Sequence, residues 1–303
     1  KYDVDGMHFD DYFYPYPVPT GVGGNYPLDD ADDYKQYGAD YKSVEDFRRG
    51  CVNNLIEDIH ELIVAKYPKV LFSISPYAVW RNKKDDPNGS VTNSLSNYDD
   101  LYADVRLWCQ KGWIDFVVPQ LYQGTTIGTN NNYASFETLV NWWPQNSFDV
   151  PVMVGYPLYR FNVDNESDNP GGKFNNTEFD YEFQFARQNS KIQGGVFYNS
   201  TAMKLNRKNV LEVMDKYYMK PALIPFMGRK TLDEPQKPSV TISGNKLSWG
   251  AQAEGLRYVV YSIKNKTATL ETITTETSFD LSRSGSYCVS AVNKDNYEGK
   301  YSD

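Results

Sequence analysis

Val70-Leu71-Phe72-Ser73-Ile74-Ser75-Pro76 is a short apolar run closed by a proline, and the segments that flank it decide the fold. On its N-terminal side a helix opens at Ser43, where Ser43 and Asp46 make an S-x-x-D capping pattern. Phe47, Cys51, Leu55, Ile59 and Leu62 recur there at helical spacing, which predicts one buried face, and Pro68 stops the helix. On its C-terminal side the next helix starts near Ser96, with Leu101, Val105 and Trp108 on one face and Gly112 at its end. The alternation then repeats. Strand Phe116 to Leu121 precedes a helix from Ser135 through Trp143, strand Val152 to Tyr156 one from Thr177 through Ala186, and strand Gly194 to Tyr198 one from Asn206 through Tyr217. With the opening run Val4 to Phe9, this makes about five βα units and predicts a parallel sheet.

A doubly wound sheet would place a glycine-rich phosphate loop after the first strand, and none is present. The pattern therefore predicts the C-terminal portion of a TIM-type (β/α)8 barrel, a fold of eight strands and about 250 residues. The first strand begins almost at Lys1 and would be an uncovered edge, so the expectation is a fragment with roughly three barrel strands missing ahead of it. The barrel portion is placed at residues 1–230, with Met219 to Gln236, which carries Pro221, Pro225 and Pro235, as linker and closing tail.

Residues 231–303 change texture. Ser239 to Trp249, Tyr258 to Ile263, Leu270 to Thr275 and Tyr287 to Asn293 alternate apolar and polar residues, with Gly244, Gly255 and Gly285 between them. This predicts a small antiparallel sandwich. Leu247-Ser248-Trp249, Tyr258-Val259-Val260-Tyr261 and Tyr287-Cys288-Val289-Ser290-Ala291-Val292-Asn293 resemble a fibronectin type III module.

Composition narrows the chemistry. A net charge of −8 argues against nucleic acid and anionic membranes, which need a basic footprint. No run of 18 or more apolar residues is present, so no membrane insertion is expected. Cys51, Cys109 and Cys288 lack metal or redox spacing and read as small buried apolar residues. His8 and His60 are far apart, so a histidine-rich metal centre is not expected, and His60, between Glu57 and Glu61, reads as a solvated surface group. Carboxylates are left to carry any hydrolysis. The 25 Tyr, 15 Phe and 6 Trp suit both core filling and stacking on flat sugar faces.

In a barrel the C-terminal strand ends converge on one mouth. The first strand brings Tyr2-Asp3-Val4-Asp5-Gly6-Met7-His8-Phe9-Asp10-Asp11-Tyr12 there, with His8 and Asp10 on one side and Phe9 and Asp11 on the other. This run resembles the fourth-strand motif of the α-amylase superfamily, which implies that Asp10 is the nucleophile and His8 the basic residue orienting it. Asp3 to Pro15, Ser73-Ile74-Ser75-Pro76-Tyr77-Ala78-Val79-Trp80-Arg81 and Pro119-Gln120-Leu121-Tyr122 are similar, more specifically, to the glycosyl-hydrolase-like 10 family, a resemblance extending from Lys1 to about Tyr218. It implies a secreted, periplasmic or cell-surface protein, the last through a lipid anchor on a missing N-terminus. Its partner would be a polysaccharide or oligosaccharide, with bacterial cell-wall glycan a substrate class, and no cofactor or metal.

One departure stands out. The amylase pattern ends the next strand in a glutamate, but here it ends Ser73-Ile74-Ser75-Pro76-Tyr77. Since glycoside hydrolysis generally uses two carboxylates, Asp11 or a residue ahead of Lys1 is the expected proton donor. The other mouth positions are Gln120, Tyr122, Tyr156, Tyr159, Arg160, Tyr198 and Asn199, with Trp80 in the loop after the second strand. They are candidates for sugar contacts, Gln120 and Tyr198 first. Asp115 precedes its strand and falls at the opposite end. Two other readings compete with the hydrolase: a non-catalytic carbohydrate-binding barrel, and a metal-dependent hydrolase using Asp10, Asp11 and His8.

Overall fold

The computed structural model describes residues 4–125, 134–165, 167–169, 172–227 and 234–303. Tyr2 and Asp3 of the opening run lie outside these residues, as do part of the expected linker and its boundary at 230. Two compact units divide at Val213/Met214.

In the first unit five strands form one sheet in the order β1-β2-β3-β4-β5. They are β1 (Gly6–Phe9), β2 (Leu71–Ile74), β3 (Phe116–Val117), β4 (Val152–Tyr156) and β5 (Ile192–Phe197). Every neighbouring pair is parallel. Helices fill the connections: α1 (Ala31–Tyr37), α2 (Val44–Lys66), α3 (Asn97–Asp100), α4 (Val105–Lys111), α5 (Phe136–Asn146), α6 (Asn176–Gln188) and α7 (Ser200–Leu205), followed by α8 (Val210–Tyr218).

The register explains how the sheet sorts its side chains. His8 pairs with Ser73 and Phe9 with Ile74, and neighbours on adjacent strands share a face. Phe9 and Phe72 meet edge to face at 5.4 Å, and Phe72 and Ile74 are fully buried. Trp108, Leu139, Trp143, Phe179 and Phe183 from α4, α5 and α6 are buried with them. The alternate residues His8, Ser73 and Ser75 are polar and bond to one another, so one face is core and the other is available for chemistry. Asp115 closes the opposite end, its Oδ2 accepting from Phe72 N at 2.6 Å.

Several local expectations are corrected. The buried face of α2 is Phe47, Val52, Ile56 and Ile63, whereas Leu55 and Leu62 are about half exposed and Cys51 is exposed. Polar residues flank the true face: Asn53 Oδ1 accepts from Trp108 Nε1 at 2.7 Å, and His60 Nδ1 bonds the Trp113 carbonyl at 3.1 Å. These bonds make polar side chains part of the packing, and His60 is half-buried rather than a solvated group. The helix expected from Ser96 breaks in two, because Asp104 caps α4 through Leu107 N. The last helix starts at Val210, since Asn206 takes the left-handed conformation that ends α7.

The second unit holds two three-stranded antiparallel sheets, β10-β7-β6 and β11-β8-β9. The strands are β6 (Val240–Ser243), β7 (Lys246–Trp249), β8 (Arg257–Lys264), β9 (Thr267–Thr274), β10 (Ser278–Asp280) and β11 (Ser286–Val292). Gly244, at φ +62°, supports the tight β6–β7 turn. Leu247, Trp249, Tyr258, Val260, Val289 and Ala291 form the core, and on β8 and β11 the alternate residues Val259, Ser290 and Val292 are buried as well.

One buried group works against stability. Glu182 of α6 is fully buried, and neither carboxylate oxygen has a hydrogen-bond partner among the described residues. Burial first, then the charges of Glu178 and Glu137, pushes its carboxyl well above the usual range. Such a group stays protonated in the folded state but ionises in the unfolded chain above about pH 4.3, so stability falls as pH climbs from there toward the folded pKa. Glu182→Met is therefore expected to stabilise the protein by about 1–3 kcal/mol at pH 8 and by less at pH 4. Thermal melts at the two pH values check this; equal gains would show that ionisation is not the cost.

Candidate active site

The chemistry-bearing side chains gather where the strands end. Asp10 follows the last residue of β1 and is exposed. Its Oδ1 accepts from Gln120 Nε2 at 2.7 Å and from Asp11 N at 2.9 Å. Gln120 reaches it because the chain after β3 continues as paired backbone, bridging Tyr77 on one side and Gly155 on the other. The same amide nitrogen donates to Ser75 O at 3.0 Å, so three successive strands fix one carboxylate. Gly155 is required for this approach: a Cβ there would lie 2.8 Å from Pro119 O and 3.2 Å from Gln120 Cα.

Asp11 sits in the opposite environment. It is 3% exposed, and its Oδ2 accepts a short hydrogen bond from Tyr16 OH. Burial raises its pKa above the usual carboxylate range; the Tyr16 bond opposes this, and the neighbouring Asp10 charge adds to it. Tyr16, half-buried and bonded to that carboxylate, has its own pKa raised. An enclosed carboxyl with a raised pKa is suited to hold a proton for acid catalysis.

His8 places Nδ1 2.7 Å from Ser73 Oγ and Nε2 3.0 Å from Ser75 Oγ. Desolvation lowers its pKa, outweighing the attraction of Asp10, so a neutral ring is favoured near neutral pH. With both nitrogens bonded to hydroxyls, the ring supports strand ends and offers no free lone pair to a metal. Among the described residues no group of three His, Cys, Asp or Glu is arranged to hold one.

The far wall is phenolic. Tyr122 meets Tyr159 at 6.2 Å between ring centroids, and Tyr159 meets Tyr198 edge to face at 5.6 Å. Burial raises the Tyr122 pKa, with smaller contributions from Tyr159, Asp10, Tyr198 and Asp11. Tyr198 is 55% exposed.

Four sequence-expected contacts are occupied elsewhere. Trp80 is buried, stacks on Trp142 at 6.0 Å and donates its indole N–H to Asp104 at 2.9 Å. Tyr156 is 2% exposed, and its ring stacks on Phe183 and Phe197 in the core. Arg160 bonds Asp168 O at 2.6 Å and Tyr122 O at 2.8 Å, and so supports the phenolic wall from behind. Asn199 caps α7 by accepting from Ala202 N. Conversely, residue order did not disclose Tyr16 or the anchor of its loop. Arg48 of α2 binds Asp30 through Nε and Nη2, both at 2.6 Å, and Tyr102 OH at 2.8 Å, with the Tyr102 ring 4.9 Å from its guanidinium carbon. The density of Tyr and Pro in residues 12–27 was the available signal.

Comparison with known proteins adds a family. The chain is 38% identical over 246 residues to glycosyl hydrolase YngK of Bacillus subtilis, covering 79% of this chain and 46% of the relative. It is 38% identical over 143 residues to glycosyl hydrolase DigH of Escherichia coli K12, covering 47% and 30% respectively. The chain thus spans less than half the length of these curated relatives. Among solved structures, chitinase ChiA74 from Bacillus thuringiensis aligns over 98% of this chain and 57% of its own at 12% identity and a TM-score of 0.36, a likeness that carries no weight for fold or chemistry. The family described as Glycosyl hydrolase-like 10 matches residues 1–170, more than half of the sequence, and the chain belongs to it.

Proposed function

We propose that the protein cleaves a glycan by two-carboxylate chemistry, with Asp10 as nucleophile or base and Asp11 as proton donor. The observation that carries this is the contrast between the pair: an open carboxylate fixed by Gln120 beside a buried one whose pKa is raised. Glycoside hydrolysis needs one carboxyl to protonate the leaving oxygen while an ionised one attacks the anomeric carbon or activates water. Asp10 is open to that carbon. Asp11 keeps its proton to higher pH and is held by Tyr16. His8 holds the ends of β1 and β2 in register through Ser73 and Ser75, and Tyr122 and Tyr198 offer hydroxyls and ring faces to the sugar.

The proposed substrate is a bacterial cell-wall glycan strand met outside the cytoplasm, in keeping with the net charge of −8, which disfavours strongly anionic polymers. The parallel sheet is read as part of a (β/α)8 barrel, since the strand order is consecutive and lacks the reversal of doubly wound sheets. The C-terminal pair of sheets is read as a fibronectin type III-type module. A carbohydrate-binding protein without turnover is the second reading, favoured by the absence of a carboxylate at Ser75-Pro76-Tyr77.

Asp10→Asn is expected to lower kcat on a cleaved glycan by about 10²–10⁴-fold with unchanged circular dichroism. Full activity in the folded variant would remove Asp10 from the mechanism, and saturable binding without product in the parent protein would favour the second reading. Tyr16→Phe deletes the bond that stabilises ionised Asp11, so the Asp11 pKa rises and the alkaline limb of kcat/KM moves to higher pH. A pH–rate profile checks this; a limb that stays or moves down would exclude Asp11 as the acid.

A further inference from the structure

A cavity of about 480 Å³ lies beside the site, where the loop after β1 crosses α2 and α3. Its walls include Tyr16, Tyr26 and Tyr102 with Pro15, Pro27 and Val18, and its volume is in the range of small-molecule sites, roughly 300–1,000 Å³. It is joined to the carboxylates through one residue: Tyr16 lines the cavity and donates to Asp11 Oδ2.

The electrostatics of the lining select the occupant. Arg48 is the one cation among the lining residues, and both Nε and Nη2 are committed to Asp30, with Nη1 on the Tyr102 hydroxyl. Asp30 and Arg48 are only 13% and 12% exposed, so this guanidinium is not released to an anion. The remaining charges are the carboxylates Asp99 and Asp100. Asp99 is positioned by Arg81 at 2.9 Å, and Asp100 Oδ2 accepts from Ser96 N at 2.7 Å. Asp99 is thus compensated by Arg81 as Asp30 is by Arg48, and Asp100, in no ion pair among the described residues, leaves the lining net negative: it repels other carboxylates and, with Asn25, accepts from hydroxyl and amide N–H groups, while tyrosine and proline surfaces suit the C–H face of a pyranose ring.

We propose that this cavity is a glycan subsite contiguous with Asp10 and Asp11 that takes an uncharged pyranoside and rejects a carboxylated one. The proposal rests on the glycan-cleaving reading above for the identity of the chain that enters it. In a polymer alternating uncharged and carboxylated sugars, such a subsite fixes the register in which the strand crosses the carboxylates.

The test reads binding without turnover. Calorimetry on the Asp10→Asn protein compares a hexamer of N-acetylglucosamine with a hexamer of galacturonic acid, before and after Tyr26→Ala and Val18→Arg. Tyr26 and Val18 are 61% and 55% exposed, so neither substitution disturbs the core. The parent is expected to prefer the uncharged hexamer; Tyr26→Ala weakens it about tenfold, the loss for removing one stacked ring, and Val18→Arg narrows or reverses the preference. Equal affinity for the two hexamers in the parent, or no response to either substitution, overturns the subsite. A native-sequence protein that shows these dependences but releases no product supports the subsite while refuting the hydrolase reading.

Discussion

The parallel register that sets His8 beside Ser73 and Phe9 beside Ile74 is the constraint from which the rest of the first unit follows. Side chains alternate along a strand, so a slip of one residue would exchange the two faces, sending the imidazole into the core and Phe9 toward solvent. The large apolar cost of exposing Phe9, Phe72 and Ile74 locks the polar face in place. It also fixes where Asp10 emerges and which oxygen meets Gln120. Packing energy on one side of the sheet thus becomes positional accuracy on the other.

Burial does different work at different carboxyls. Asp10 and Asp11 are adjacent in sequence, yet one is open and the other enclosed, and enclosure raises the pKa of Asp11. Glu182 is enclosed more completely, but without a hydroxyl donor like the one Tyr16 gives Asp11, and it remains a destabilising group within the α5–α6 packing. The two enclosed acids differ both in depth and in partner.

Much of the architecture was legible because it rests on short-range rules. Ser43, Ser96 and Ser135 cap the helices they were expected to begin, and Gly112 ends its helix in the left-handed conformation. Of the motif residues, Asp10 is bonded by Gln120 from the chain after β3, and His8 by Ser73 and Ser75. The misreadings have long-range causes. The stripe on α2 was displaced because Asn53 and His60 are satisfied by partners on distant segments, which periodicity cannot register. Trp80 and Tyr156 occupy mouth-like positions in sequence, but their rings are taken up by Trp142 and by Phe183 and Phe197. Tyr16 escaped notice because its role depends on a loop folding back over Asp11.

The clamp between Arg48 and Asp30 also bears on how the protein meets its surroundings. With about an eighth of each side chain exposed, the pair is largely shielded from dissolved ions, whereas Lys208–Asp164, at 60% and 87% exposure, is open to them. Mobile ions damp exposed charges beyond a Debye length of about 8 Å at physiological strength but act weakly on enclosed pairs. Dissolved salt is therefore expected to weaken the tether beside the Tyr16 loop less than it weakens an exposed pair such as Lys208–Asp164.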